Sequence, residues 1–206
     1  MLSPARIAVF VSGGGTNLQA LLDAQKAGAL PHGEIVLVVA SNAGAYALER
    51  ARLAGVDGHV VSRKDCGSQE SFEAGISALL HEYNIDLIVL AGFLSILSPA
   101  FTSQWPNRIL NVHPSLIPSF CGKGFYGLKV HEAALEKGVK VTGATVHFVN
   151  EVPDGGKILL QKAVEILPGD TAEVLQRRVM EQAEWLLLPQ AVEMVSAAIT
   201  NEREHA

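Results

Sequence analysis

Arg6-Ile7-Ala8-Val9-Phe10-Val11-Ser12-Gly13-Gly14-Gly15-Thr16-Asn17 is the stretch on which the fold turns. Residues 6–11 are apolar almost throughout and read as a buried strand. Three glycines then let the backbone turn tightly, and a helix follows through about Ala27. A strand feeding a helix through a glycine turn is the opening unit of an α/β sheet.

The alternation recurs outward from this unit. Residues 35–40 are a second apolar run, 45–54 a helix and 56–61 a short strand. Residues 70–83 form a helix with Phe72, Ile76, Leu79 and Leu80 on its inner stripe. Residues 85–91 are nearly all apolar, the pattern of a central parallel strand covered on both faces, and 109–112 are the next short strand. In the second half, 129–137 is a helix, and 140–150 and 157–166 are long strands read as an antiparallel pair. Residues 171–200 are helical, with an interruption or a change of direction expected at Pro189. The expected fold is therefore α/β: a Rossmann-like, doubly wound, mostly parallel sheet with helices on both faces. An antiparallel strand pair and a long C-terminal helix extend it. Ligands of such sheets bind at the carboxyl ends of the strands.

At 206 residues the chain can bury one complete core, and one domain over 1–206 is expected. A net charge of −5 without a Lys/Arg cluster argues against a nucleic-acid partner. Cys66 and Cys121 stand far apart, the first residues lack signal-peptide character, and no clean apolar stretch approaches membrane-spanning length. The expectation is a cytoplasmic protein without a membrane partner.

The glycine loop exposes backbone N–H groups at a helix start, which suits a phosphate. The alternative is a purely structural turn. Leu18 occupies the place of the third glycine of a dinucleotide fingerprint, and no Lys-Ser/Thr follows as in a Walker loop. A small phosphorylated metabolite fits better, with Thr16 or Asn17 capping the helix, bonding the ligand, or both.

Asn111-Val112-His113-Pro114-Ser115 places an amide and an imidazole two residues apart at a strand end, pointing to one side. Such a pair can hold a developing oxyanion; the alternative is two rim polars. Asp154, in Glu151-Val152-Pro153-Asp154-Gly155-Gly156, is a turn residue unless its loop folds back. In that case the carboxylate can orient His113 and favour its charged form. No nucleophile context surrounds Ser115, so direct attack of an amine on a carbonyl is preferred to an acyl-enzyme. His147 is read as structural support. His131, beside Glu132, is expected to be exposed, and no histidine spacing argues for a metal.

These residues carry a resemblance. The glycine loop with Leu18-Gln19, Leu90-Ala91-Gly92-Phe93, residues 110–118, residues 141–149 and Asp154-Gly155-Gly156 resemble the phosphoribosylglycinamide formyltransferase family over residues 5–190. Cys121-Gly122-Lys123-Gly124 with Tyr126-Gly127 looks like one branch of it. The resemblance implies transfer of a formyl group from 10-formyltetrahydrofolate, a cosubstrate, to the amine of glycinamide ribonucleotide in purine biosynthesis, with no metal. Asn111, His113 and Asp154 would be catalytic, and Gly15, Thr16, Asn17 and Glu184 would hold the nucleotide. Leu94, Ser95, Ile96, Leu97, Phe148, Val149 and Asn150 would flank the folate. Residues 5–112 would form the phosphate-binding half and 113–200 the folate-binding and catalytic-loop half. Monomer or homodimer stays open.

Three departures from the family pattern stand out. Ser95 and Gln69 occupy positions where some members carry arginine, with Arg63 and Lys64 as candidate substitutes. The late glutamate is followed by Trp185 rather than histidine. Its spacing from Arg178-Val179 is one residue longer than common, which leaves Glu181 as a rival to Glu184. A formyl-methionyl-tRNA formyltransferase would be expected to add a C-terminal domain, and a formyltetrahydrofolate hydrolase an N-terminal one. A non-enzymatic phosphate-binding domain would leave Asn111, His113 and Asp154 unexplained.

Overall fold

β1 (Ala5–Val11) lies inside a seven-stranded sheet whose other strands are β2 (Gly33–Ala40), β3 (Asp57–Val60), β4 (Leu87–Leu90), β5 (Ile109–His113), β6 (Val141–Phe148) and β7 (Ile158–Glu165). The computed structural model describes residues 3–205. Strand order is β3-β2-β1-β4-β5-β6-β7. The first five strands pair in parallel, β6 runs antiparallel to β5, and β7 antiparallel to β6. This is the doubly wound sheet with an antiparallel extension. The chain order reverses between β1 and β4, the switch point where such sheets open a crevice.

The helices are α1 (Thr16–Lys26), α2 (Ala47–Leu53), α3 (Arg63–Cys66), α4 (Gln69–Glu82), α5 (Pro99–Thr102), α6 (Leu128–Lys137), α7 (Ala172–Val179) and α8 (Trp185–Glu204). Side chains alternate across each strand, so β1 feeds two cores. Ile7, Val9 and Val11 pack with Leu18 and Leu21 of α1 and Leu188 and Val192 of α8. Ala8 and Phe10 pack with Phe72, Ile76 and Leu80 of α4 and with Phe101. Each large side chain so buried contributes about 2 kcal/mol. Among the described residues no helix is long and apolar enough to cross a membrane.

Two expectations are corrected. The long C-terminal helix is not broken at Pro189, which lies inside α8; the irregular turn is a π-helix at Met180–Glu184, joining α7 to α8. Pro189 sits early in α8, where its missing N–H and its ring conflict only with the carbonyl of Trp185, at the seam with the wide turn. His131 is not exposed: α6 turns Val130, His131 and Ala134 inward together. Both its ring nitrogens lack a partner. Burial, and then the charge of His113, hold its pKa down at about 4, so the ring is neutral.

Candidate active site

The catalytic candidates meet at the carboxyl end of β5. Asn111 pairs across the strands with His147 of β6, and His113 with Thr145, so the register itself sets the amide against the imidazole. His147 Nδ1 lies 2.9 Å from the Phe148 carbonyl. A carbonyl only accepts, so that nitrogen carries the hydrogen. In the neutral ring Nε2 is then bare and accepts from Asn111 Nδ2 at 3.1 Å, which fixes the amide's orientation.

The loop after β6 does fold back. Asp154 Oδ1 stands 3.4 Å from Asn111 Nδ2, and Oδ2 stands 3.6 Å from His113 Nδ1. His147 Nε2 is 3.5 Å from Oδ1, a contact that becomes a hydrogen bond only when that ring is charged. Gly122 N–H donates to Oδ2 at 2.8 Å. Burial pushes the Asp154 carboxyl up. The His147 contact, the charge of His113 and the Gly122 N–H outweigh it, so the carboxyl stays below its ordinary range. Asn111 Nδ2 and His113 Nδ1 thus converge on one spot over an ionised carboxylate, at distances long enough to admit a competing oxygen. Among the described residues no group of three His, Cys, Asp or Glu side chains is arranged to hold a metal ion.

A recess of about 150 Å³ opens beside these groups. Ser95, Ile96, Leu97, Val149 and Asn150 line it together with Asn111, His147 and Asp154. Leu90 and Phe93, from the stretch at the end of β4, and Glu151 and Pro153, from the loop that carries Asp154, complete the wall. Leu94 and Phe148 are not part of that wall, and Leu94 is largely exposed. Gln69 sits behind it, its amide donating to Ile96 O at 3.1 Å and to Glu73 at 2.6 Å. Arg63 and Lys64 are exposed on α3 and do not reach the recess.

The glycine loop ends one strand away. Gly15 is left-handed, with φ 71°, and a Cβ there would stand 2.6 Å from that of Ala47. No side chain caps α1, so of the roles expected for Thr16 and Asn17 the cap is corrected. The Thr16 hydroxyl faces Met180 Sδ, and Asn17 Nδ2 donates to Glu184 Oε2 at 2.7 Å. Three successive carbonyls are held from the β2–α2 side: Ser12 O by Asn42 Nδ2 at 2.9 Å, Gly13 O by Ala47 N at 3.2 Å, and Gly14 O by Arg50 Nε at 2.7 Å. In a trans peptide the N–H points opposite to the C=O. The N–H groups of Gly13, Gly14 and Gly15 are therefore turned away from those donors, and none is spent on a backbone carbonyl. Asn42 and Arg50 lie on a loop and a helix face without any motif of their own, so sequence reading passed over both.

Glu184 is buried at the end of the π-helix, whereas Glu181 is exposed. The wide turn leaves Glu184 against Asn17. Burial, opposed by the Asn17 hydrogen bond, lifts its carboxyl to about 7. Asn17 Oδ1 has no partner.

Residues 5–192 match the family described as formyl transferase. The chain is 42% identical to phosphoribosylglycinamide formyltransferase of Haemophilus influenzae, covering 86% of this chain and 81% of that protein. It is 44% identical to the trifunctional purine biosynthetic protein adenosine-3 of Gallus gallus over 93% of this chain, spanning only 18% of that relative's length. The crystal structure of glycinamide ribonucleotide transformylase 1 from Symbiobacterium toebii superposes with a TM-score of 0.88 at 42% identity, covering 95% of this chain and 89% of that one.

Proposed function

This chain belongs to the formyl transferase family, and from that premise we propose that it moves the formyl group of 10-formyltetrahydrofolate to the primary amine of glycinamide ribonucleotide, a step of purine biosynthesis. The observation that carries the reading is the convergence of Asn111 Nδ2 and His113 Nδ1 on Asp154, one strand from a glycine loop with unspent N–H groups.

In this reading Gly15, Thr16 and Asn17 take the phosphate, with Glu184 nearby as the nucleotide's acceptor. The recess walled by residues 95–97 and 149–150 takes the pterin end of the folate. Both halves of the chain serve both ligands: Glu184 reaches Asn17, and residues 90–97 face residues 149–154. The amine attacks the formyl carbon, and the carbonyl oxygen becomes an oxyanion. Asn111 and charged His113 donate to it, displacing their long contacts with Asp154. Asp154 orients His113 and takes part in moving the amine's proton. The C–N10 bond breaks as N10 gains a proton, and the formamide leaves. Such donors act mainly on the transition state, where the charge is.

The partners are two small molecules, with no nucleic acid, membrane or metal required. The chain works in the cytoplasm as a monomer or homodimer. The test is formyl transfer from 10-formyltetrahydrofolate with glycinamide ribonucleotide beside a no-acceptor control. Turnover only with the nucleotide supports the reading. Equal turnover without it points to a hydrolase, and no folate-dependent turnover rejects the proposal.

A further inference from the structure

One short backbone segment grips both members of the His113–Asp154 pair. Phe120 O accepts from His113 Nε2 at 2.8 Å, and Gly122 N–H donates to Asp154 Oδ2 at 2.8 Å. Phe120 and Gly122 both have positive φ, 50° and 84°, which turns a carbonyl and an N–H of one tight bend toward the two side chains. Ser115 fastens the segment from beneath its own strand end. It is fully buried, and its hydroxyl donates to Ser119 O at 2.6 Å and reaches Phe120 O at 3.4 Å. Its carbonyl accepts from Thr145 Oγ1 at 2.7 Å, which ties the whole brace to β6.

We propose that Phe120–Gly122 is a backbone clamp fixing the tautomer of His113 and the orientation of Asp154, with Ser115 as the positioning residue that holds the clamp. The Phe120 carbonyl has no hydrogen to give, so His113 Nε2 keeps its hydrogen in both the neutral and the charged ring. The exchanging nitrogen is then Nδ1, the one that faces Asp154. Without the clamp a neutral imidazole divides its hydrogen between two nitrogens, and part of the population is mis-set for each turnover. The clamp rests on the formyl-transfer reading only for its effect on turnover; the tautomer is a property of the folded chain.

Long-range proton–nitrogen spectra of the full chain with ¹⁵N-labelled histidine test this, with His113→Gln identifying the resonance. The neutral wild-type ring is expected with its hydrogen on Nε2. Ser115→Ala removes the fastening hydroxyl. Gly122→Ala strains the bend from its other end, where an added Cβ meets nothing within 4 Å and so leaves packing intact. Both variants are expected to show mixed His113 tautomers and a kcat lowered about tenfold or more, as misplacement of a reacting group does, with both KM values little changed. A wild-type ring protonated on Nδ1 overturns the clamp, as does a Gly122→Ala protein with normal tautomer and normal kcat. A wild-type ring with Nε2–H in a protein that transfers no formyl group refutes the activity and leaves the clamp standing.

Discussion

Replacing Glu184 by glutamine should make the protein more stable at alkaline pH while weakening its nucleotide site. The carboxyl is buried, with one hydrogen bond from Asn17, and its pKa is lifted from 4.5 to about 7. Between those values the folded chain holds a proton that the unfolded chain has released, so stability falls as pH rises through the window. Each pKa unit is worth about 1.4 kcal/mol, and the full shift comes to about 3 kcal/mol lost by pH 8. The glutamine amide has the same shape as the carboxyl, keeps an oxygen for Asn17 Nδ2, and cannot ionise. For a chain of this size that difference is about 10 °C in Tm. Thermal unfolding of both proteins from pH 4.5 to 8 is the assay, because their difference cancels every other titrating group. Glu184→Gln is expected to match the wild type near pH 4.5, exceed it by about 10 °C at pH 8, and show a raised KM for the nucleotide. Parallel Tm curves across the whole range would refute the argument.

Asn111→Ala removes one oxyanion donor and is expected to lower kcat by about a hundredfold with an intact fold; near-normal steady-state turnover would end its catalytic role. Gly15→Ala drives a Cβ to 2.6 Å from Ala47 at a left-handed position, and denaturant unfolding should show a loss of about 1–3 kcal/mol together with lost nucleotide affinity. His131→Leu replaces a buried ring with no partners and should stabilise by about 1–3 kcal/mol. That gain should be largest in acid, because the wild type loses stability as pH falls from 6.5 toward the folded value of about 4, and an unaltered acid limb would contradict it. Deleting exposed Gln182 should close the π-helix into an ordinary α-turn with both flanking helices in register, leaving Tm and the nucleotide KM little changed; collapse of either would mean that the wide turn itself is required.

Much of this was readable because period and chemistry coincide. Strands buried on both faces, such as residues 85–91, announce themselves as apolar runs, and the Asn111–His113 spacing puts two polar groups on one side of such a strand. Helices α3 and α5 were missed because four residues cannot show a helical period. His131 was misjudged because its neighbour Glu132 suggested a solvent face, while the packing of α6 is set by Val130 and Ala134. The rivalry of Glu181 and Glu184 was visible, yet the π-helix that buries Glu184 depends on both flanking helices being anchored, which is a tertiary fact. Asn42, Arg50, Phe120 and Gly122 act through or upon backbone groups, and no side-chain pattern marks that kind of work.

The two candidate substrate loops are also mechanically joined, and Ser12 is the joint. Its N–H donates to Gly92 O at 3.1 Å, so the ends of β1 and β4 are tied at the switch point. Its hydroxyl accepts from Ser41 Oγ at 2.7 Å and from Leu94 N at 2.9 Å, and its carbonyl accepts from Asn42 at 2.9 Å. One residue therefore spends every polar group on the ends of β2 and β4 while it starts the glycine loop. A shift of residues 92–94 beside the recess must strain the bonds that set the loop's carbonyls, and the reverse holds as well. The crevice of a doubly wound sheet places two loops side by side by topology alone. Here the hydrogen bonds of Ser12 convert that adjacency into a fixed distance between the unspent N–H groups of the glycine loop and the recess beside Asn111, and the proposed direct transfer between two bound substrates depends on that distance.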